Sequence, residues 1–365
     1  MTSRQGIGAA GARRLAGVLV AVGALALAGC APAPTAEQSA TATQAGDDAY
    51  CARMVTNSGG LEDRSFNQSS WEGLEKAQQE LGIDAQVLVS TGENDLAPNV
   101  DQAVQSGCGF VLTVGYELAQ ATLDAATASP DTHFAIVDET VDAPNVKPIV
   151  FDTAQAAYLA GYLAAGVTKT GKVATFGGGN QPPVTLFMDG FSDGVDRYNA
   201  DHGTSVQLLG WSKAAQDGVF TGDFEDINKG KTVTQSFIDQ GADVILPVAG
   251  QVGEGAASAA LDSGDVLIVW VDNDGYDTLP AEYRPIILTS VMKNTGDAVV
   301  SIVGDDEDGS FDNTPYVGTL ANGGVGLAPY HSLEPEVSAD LDAELKDLEK
   351  QIVAGTIVVQ SPSTP

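Results

Sequence analysis

From Tyr50 onward, short apolar runs alternate with longer stretches of helical period. The runs are Cys51–Thr56, Ala85–Val89, Gly109–Val114, His133–Val137, Lys172–Phe176, Ser205–Leu209, Asp243–Val248 and Val266–Val271. Between them the spacing predicts helices over about Phe66–Leu81, Leu96–Ser106, Leu118–Ala128, Thr153–Val167, Pro183–Ala200, Lys231–Gln240 and Glu254–Asp262. This βαβ rhythm predicts an α/β fold with parallel sheets covered by helices on both faces. One sheet holding every strand would be large. Two Rossmann-like lobes joined by a hinge are the more economical reading. The expected first lobe is 49–150 with about 273–312, and the second is 151–272 with about 313–365. In this reading the chain crosses near Pro148–Asp152 and again after Asp272, and Pro285–Val291 returns to the first lobe.

The predicted strands end alike. They run into Asn57-Ser-Gly-Gly60, Gly115-Tyr116, Asp138-Glu139, Gly177-Gly-Gly-Asn180, Ala249-Gly250 and Asp272-Asn-Asp-Gly275. In open α/β sheets ligands sit beyond the carboxyl ends of the strands. Glycines there admit a ligand to the backbone, and acids accept hydroxyl protons. A weak repeat reinforces this. Gln105–Gly115 and Asp239–Gly250 share a layout, and each is followed by a helix and a strand ending in an acid, Asp138 or Asp272. Each lobe is thus expected to push one Asp into the space between them.

One corner stands out, Asp63-Arg-Ser-Phe-Asn-Gln-Ser-Ser-Trp-Glu-Gly-Leu74. Ser65 with Gln68 fits a capping box, which starts a helix at Phe66. Ser70, Leu74, Ala77 and Leu81 then form its buried stripe. The corner gathers the ring of Phe66, the amide of Asn67 and the carboxylate of Asp63, which suits stacking a flat ring and bonding its edge. Trp71 reads as core.

The N-terminus changes the setting. Arg4, Arg13 and Arg14 precede an apolar stretch, Leu15–Ala28, and Leu27-Ala-Gly-Cys30 has lipobox spacing. Residues 1–29 therefore read as a signal peptide, Cys30 as a lipidation site and 30–48 as a disordered tether rich in Ala, Pro, Thr, Gln and Ser. That places the domain outside the cell membrane, lipid-anchored and expected as a monomer. Without the leader arginines, 14 Lys and Arg stand against 49 Asp and Glu, a formal charge of −35. A surface that acidic repels nucleic acid and anionic lipid. Cys51 and Cys108 remain, each near the start of a strand. In an oxidising compartment they suggest a disulfide, against the alternative of two buried thiols.

Catalytic constellations are weak. Gly190-Phe-Ser-Asp-Gly194 matches a nucleophile-elbow pattern, but Ser192 falls mid-helix. His133, His202 and His331 lack metal-ligand spacing. The acidic runs at Asp272 and Asp305 lack calcium-loop order. No Lys-Ser/Thr follows Gly177-Gly-Gly-Asn180. What remains is a binding constellation without a reaction, and no cofactor or metal is expected.

These residues resemble the basic membrane protein family, which includes purine nucleoside receptor lipoproteins of ABC importers. The Asp63–Leu74 stretch is similar to its D-x-S-F-N opening. Further likenesses are Ala154–Gly161, Gly171–Gly178, Phe187–Phe191, Gly241–Leu246, Gly250–Gly255, Val271-Asp272 and Leu288–Asn294, in family order. The resemblance implies a type I periplasmic-binding-protein fold, a nucleoside ligand and a permease partner. It implies Phe66 as the stacking ring of one lobe and Phe224, with Phe220 as an alternative, as that of the other. It puts Asp138, Asp272 and Lys293 on the ribose, and Asp63 and Asn67 near the base, with Gly250 at a strand end. The alternatives are a sugar or other small-molecule binder of the same fold, and a nucleoside hydrolase.

Overall fold

Two six-stranded sheets organise residues 50–365, the part of the chain that the computed structural model describes. The predicted leader, Cys30 and the tether lie outside the described residues. The first sheet is built from β1 (Cys51–Thr56), β2 (Asp84–Leu88), β3 (Phe110–Val114), β4 (His133–Val137) and β5 (Val146–Phe151). Helices α1 (Phe66–Leu81), α2 (Glu93–Gln105) and α3 (Ala119–Ala128) connect them. After α4 (Thr153–Val167) come β6 (Lys172–Gly177), α5 (Pro182–His202), β7 (Gln207–Leu209), a hairpin of β8 (Trp211–Ser212) and β9 (Asp217–Gly218), and α6 (Ile227–Asp239). Then follow β10 (Val244–Val248), α7 (Val252–Ser263), β11 (Leu267–Asp272), α8 (Gly275–Thr278) and β12 (Ile287–Lys293). The chain finishes with α9 (Thr295–Glu307), β13 (Tyr316–Gly318), β14 (Val325–Leu327) and α10 (Ala339–Val353).

The sheet orders are β13-β5-β4-β3-β1-β2 and β14-β12-β11-β10-β6-β7. Read from the right, each begins second-first-third-fourth-fifth in its own lobe. Both therefore reverse direction beside their first strand, at β1/β3 and at β6/β10, and a crevice opens at such a switch point. Within these two sheets the strands are parallel except where β14 runs against β12. Strands β3 and β10 are buried along their whole length, as expected of parallel sheets covered on both faces.

Helices α4 and α5 cross at backbone contact. A Cβ on Gly194 would lie 2.0 Å from the Tyr158 carbonyl oxygen, and one on Gly161 2.1 Å from that of Phe191. Twelve of the residues of α4 are buried, including Tyr158 and Leu159, so the helix has no polar face to offer solvent.

The structure departs from the sequence reading in two strand assignments and in the tail, where β13, expected in the second lobe with about 313–365, pairs with β5 in the first sheet. Strand β5 was not expected, because Lys147 and Pro148 interrupt its apolar pattern. Lys147 is buried there, its Nζ donating to Asp312 Oδ1 at 3.0 Å and to the Thr314 carbonyl at 2.9 Å. The second departure is Pro285–Val291, expected to return to the first lobe. Strand β12 instead pairs with β11 in the second sheet. Residues 273–286, with α8 among them, are long enough for a parallel crossover, which takes a dozen or more residues. The return comes after Lys293, where α9 packs against α1. Cys51 and Cys108 are bonded to each other, with Cα atoms 5.1 Å apart across neighbouring strands.

Candidate ligand-binding site

The loops that leave β1, β3, β4, β6, β10 and β11 converge between the carboxyl ends of the two sheets, together with the end of β12. Together they line one cavity, whose inner free volume is about 70 Å³. All eight positions singled out for a ligand lie on this one cavity: Asp63, Phe66, Asn67, Asp138, Phe224, Gly250, Asp272 and Lys293. Asn57 and Tyr116, read from sequence only as strand-end residues, also line it, and the reading missed Glu117, Gln181, Phe187 and Gln251.

Lys293 is the centre of charge. It ends β12 and is 3% exposed. Its Nζ donates to Asp138 Oδ2 at 2.5 Å and lies 3.8 Å from Asp272 Oδ1. It also stands 4.5 Å from the centroid of the Phe66 ring and within 6 Å of Phe151 and Phe187. Burial disfavours the ammonium, but the two carboxylates outweigh it and hold its pKa above the ordinary lysine value. Burial raises the Asp138 carboxyl above its usual range, against the pull of Lys293. The two acids are placed alike: Asp138 follows β4 and Asp272 ends β11, and both take positive φ.

Asp63 works differently from expectation. Its Oδ1 accepts the backbone N–H groups of Ser65 (3.0 Å) and Gln68 (3.1 Å), and its Oδ2 that of Asn67 (2.7 Å). It therefore caps α1, satisfying donors that a helix start leaves open. The capping box expected of Ser65 and Gln68 is absent. Ser65 makes no side-chain cap, and its Oγ donates to Asp272 Oδ2. The Gln68 amide turns to Glu72. A carboxylate two residues upstream offers two oxygens and a charge to the helix N-terminus, and so displaces a hydroxyl. Asn67 is 1% exposed; its Nδ2 donates to Asn57 Oδ1 at 2.7 Å, while its own Oδ1 is buried without a protein partner.

Phe224 forms the opposite wall, seated on glycine. A Cβ on Gly178 would lie 2.4 Å from its ring. Its loop is fixed by Asp223, which accepts the N–H of Asp226 at 2.8 Å and that of Glu225 at 3.0 Å and pairs with Lys229. Phe220 is not on the cavity. It packs edge-on against Trp211, ring centroids 6.0 Å apart. Gly250 adopts φ +53°, a conformation that favours glycine. Trp71 is partly buried against the core. Ser192 lies inside α5, without the strand-turn-helix setting of an elbow.

The two sides of the cleft touch. Trp270 Nε1 donates to the Arg64 carbonyl at 3.2 Å, and Asn273 Nδ2 to that of Ser65 at 3.0 Å. At the rim, Gln181 Nε2 donates to Glu117 Oε1 at 2.8 Å. Only a discontinuous search along the sequence could have paired Glu117 with Gln181, since neither belongs to a motif.

Comparison with known proteins adds to this geometry. The model of the Bmp family, described as ABC transporter substrate-binding protein PnrA-like, matches residues 52–363. The chain is 32% identical over 328 residues to the ABC transporter nucleoside-binding protein BmpA of Lactococcus lactis subsp. cremoris, covering 85% of this chain and 89% of that one. It is 32% identical over 339 residues to a CD4+ T-cell-stimulating antigen of Listeria innocua, covering 87% and 90%. Among solved structures, a solute-binding protein of an ABC transporter system from Aeropyrum pernix K1 matches with a TM-score of 0.77 at 24% identity, covering 86% of this chain and 94% of that one. That likeness speaks for the two-lobed periplasmic-binding-protein fold.

Proposed function

The chain belongs to the Bmp family of PnrA-like ABC transporter substrate-binding proteins, and on that premise we propose that it captures a nucleoside, a purine nucleoside first of all, between its lobes. The observation that carries the reading is Lys293 held between Asp138 and Asp272 at the wall of a cavity that Phe66 and Phe224 also line. A nucleoside is neutral, with a flat base and a diol. Stacking a base on an aromatic ring is worth roughly 1–3 kcal/mol. The two carboxylates accept the ribose hydroxyl protons, and Lys293 offsets their charge. The unpaired Oδ1 of Asn67 suits an N–H on the base edge. A phosphate would meet several acids and a single buried cation. The site is read as one of capture and release, with no chemical step assigned to any residue.

The same reading makes the protein the extracytoplasmic component of an importer, anchored through Cys30 and delivering its ligand to a membrane permease. Cys30→Ser should release it from the membrane or leave it unprocessed. Calorimetric titration with adenosine, guanosine, inosine, uridine, adenine and ribose tests the ligand. Purine nucleosides should bind most tightly and ribose alone weakly. Binding of ribose or hexoses without any nucleoside would replace this reading with that of a sugar receptor. Release of free base from inosine would make the protein a hydrolase instead.

A further inference from the structure

Asp189 is fully buried and takes no part in lining the cavity, yet it collects hydrogen bonds from two distant segments. Trp211 Nε1 donates to its Oδ1 at 2.9 Å. Gln216 Nε2 donates to both oxygens, at 3.0 and 3.2 Å. Ser361 Oγ, from the C-terminal segment, donates to Oδ2 at 2.6 Å. No Lys or Arg among the described residues forms an ion pair with it. A buried carboxylate without a cation is costly to maintain, so such an arrangement calls for a reason. Phe187 and Asp189 sit two positions apart on α5, on nearly opposite faces at 3.6 residues per turn. Phe187 faces the cavity, and Asp189 faces the hairpin β8–β9.

What the hairpin carries supplies the reason. Trp211 packs edge-on against Phe220, which follows β9 and bridges to Gly177 at the end of β6. From there Thr221 N–H donates to the Gly177 carbonyl at 3.0 Å and Gly222 N–H to that of Gly178 at 2.8 Å. Two residues on, the Phe224 ring lies against Gly178 with no room for a methyl group. The path from Asp189 to the cavity wall is thus short and tightly packed, and close-packed contacts transmit displacement.

We propose that Asp189 is a positioning residue for ligand binding: by fixing Trp211 and the hairpin it sets the seat of the segment Phe220–Asp226, and so the place of the Phe224 ring. The C-terminal segment takes part through Ser361. The inference rests on the proposed nucleoside function.

The test is a double-mutant cycle in the full chain, read by calorimetric titration with adenosine, guanosine and inosine. Asp189→Ala should weaken nucleoside binding about tenfold in the parent and less than about twofold when Phe224→Ala is already present, the non-additivity expected of coupled residues. Asp189→Asn keeps an oxygen for Trp211 and Gln216, and should stay within about twofold of the parent. Trp211→Phe keeps an aromatic, though smaller, ring and loses the donor. It should weaken binding about threefold, again only with Phe224 in place, and it serves if Asp189→Ala does not fold. Equal losses in both backgrounds, or no loss from either variant, overturn the inference. A parent chain that binds no nucleoside removes the functional reading itself, and the inference with it.

Discussion

Asp138 and Asp272 share one backbone conformation, with φ of 67° and 66°, at the ends of corresponding strands in two different sheets. Left-handed backbone is uncommon for residues other than glycine and collects where structure over-determines it. The two acids are therefore held from opposite lobes towards one cation, Lys293. That relationship joins the two lobes through one buried cation.

Substitution at Asp272 separates chemistry from backbone strain. Both Asp272→Ala and Asp272→Gly should weaken nucleoside binding about tenfold to a hundredfold, the loss of a charged hydrogen bond. Neither should change the binding of free adenine, which has no diol. Glycine accepts positive φ without steric cost, so Asp272→Gly should be about 1 kcal/mol more stable than Asp272→Ala by urea denaturation. Nucleoside titrations identical to wild type would refute the two-lobe account of the cleft.

Lys293→Met would leave two buried carboxylates facing one another without a cation. Breaking such a pair costs about 3–5 kcal/mol. The loss should be smaller in acid, where protonation relieves the repulsion. Urea midpoints at neutral pH and near pH 5 measure both. A variant as stable as wild type at neutral pH would contradict the ion-pair account.

Asp63 gives a pH dependence of defined sign. Burial pushes its carboxyl up to about 6, against the pull of the Asn67, Ser65 and Gln68 N–H donors, and with Asp272 adding to the rise. The unfolded value is about 3.9. Between the two the folded state holds more proton than the unfolded, so the contribution of Asp63 to stability is fully present below about pH 4 and is lost as pH rises through about 6. The stability of wild type relative to Asp63→Asn should fall by up to about 3 kcal/mol over that window. A difference that stays flat or grows with pH would disprove it.

The bond between Cys51 and Cys108 closes a loop with a sequence separation of 57. Chain-entropy arguments give such a cross-link roughly 4 kcal/mol. Cys51→Ser with Cys108→Ser should lose stability of that order while leaving nucleoside affinity nearly unchanged, because the bond lies at the opposite ends of the strands from the cavity. Denaturant titration and calorimetry check the two halves of this expectation.

The alternation of apolar runs and helical stretches made the two parallel sheets legible, because buried parallel strands carry an uninterrupted apolar signal. Strand-end residues such as Asp138, Asp272 and Gly250 could be read for the same reason. Strand β5 was hidden by Lys147, whose charge is met by Asp312 and Thr314, far along the chain. The lobe of β12 was misplaced because an apolar run does not say which sheet it joins. At the corner before α1, local pattern favoured Ser65 as the cap. Asp63 took that place, and Ser65 was drawn to Asp272. Glu117 and Gln181 meet only when the two lobes do, and no local signal announces such a pair.

The chain passes between the two sheets after Phe151, after Lys293, and once more between Gly318 and Val325. Neither lobe is therefore an uninterrupted piece of the gene. Exchanging one lobe for that of a relative needs three junctions made in register at the same time, and a single cut after Phe151 leaves β13 of the first sheet with the second lobe. New ligand preferences can scarcely enter this architecture by shuffling whole modules. They have to arrive one side chain at a time, at the strand ends that face the cleft.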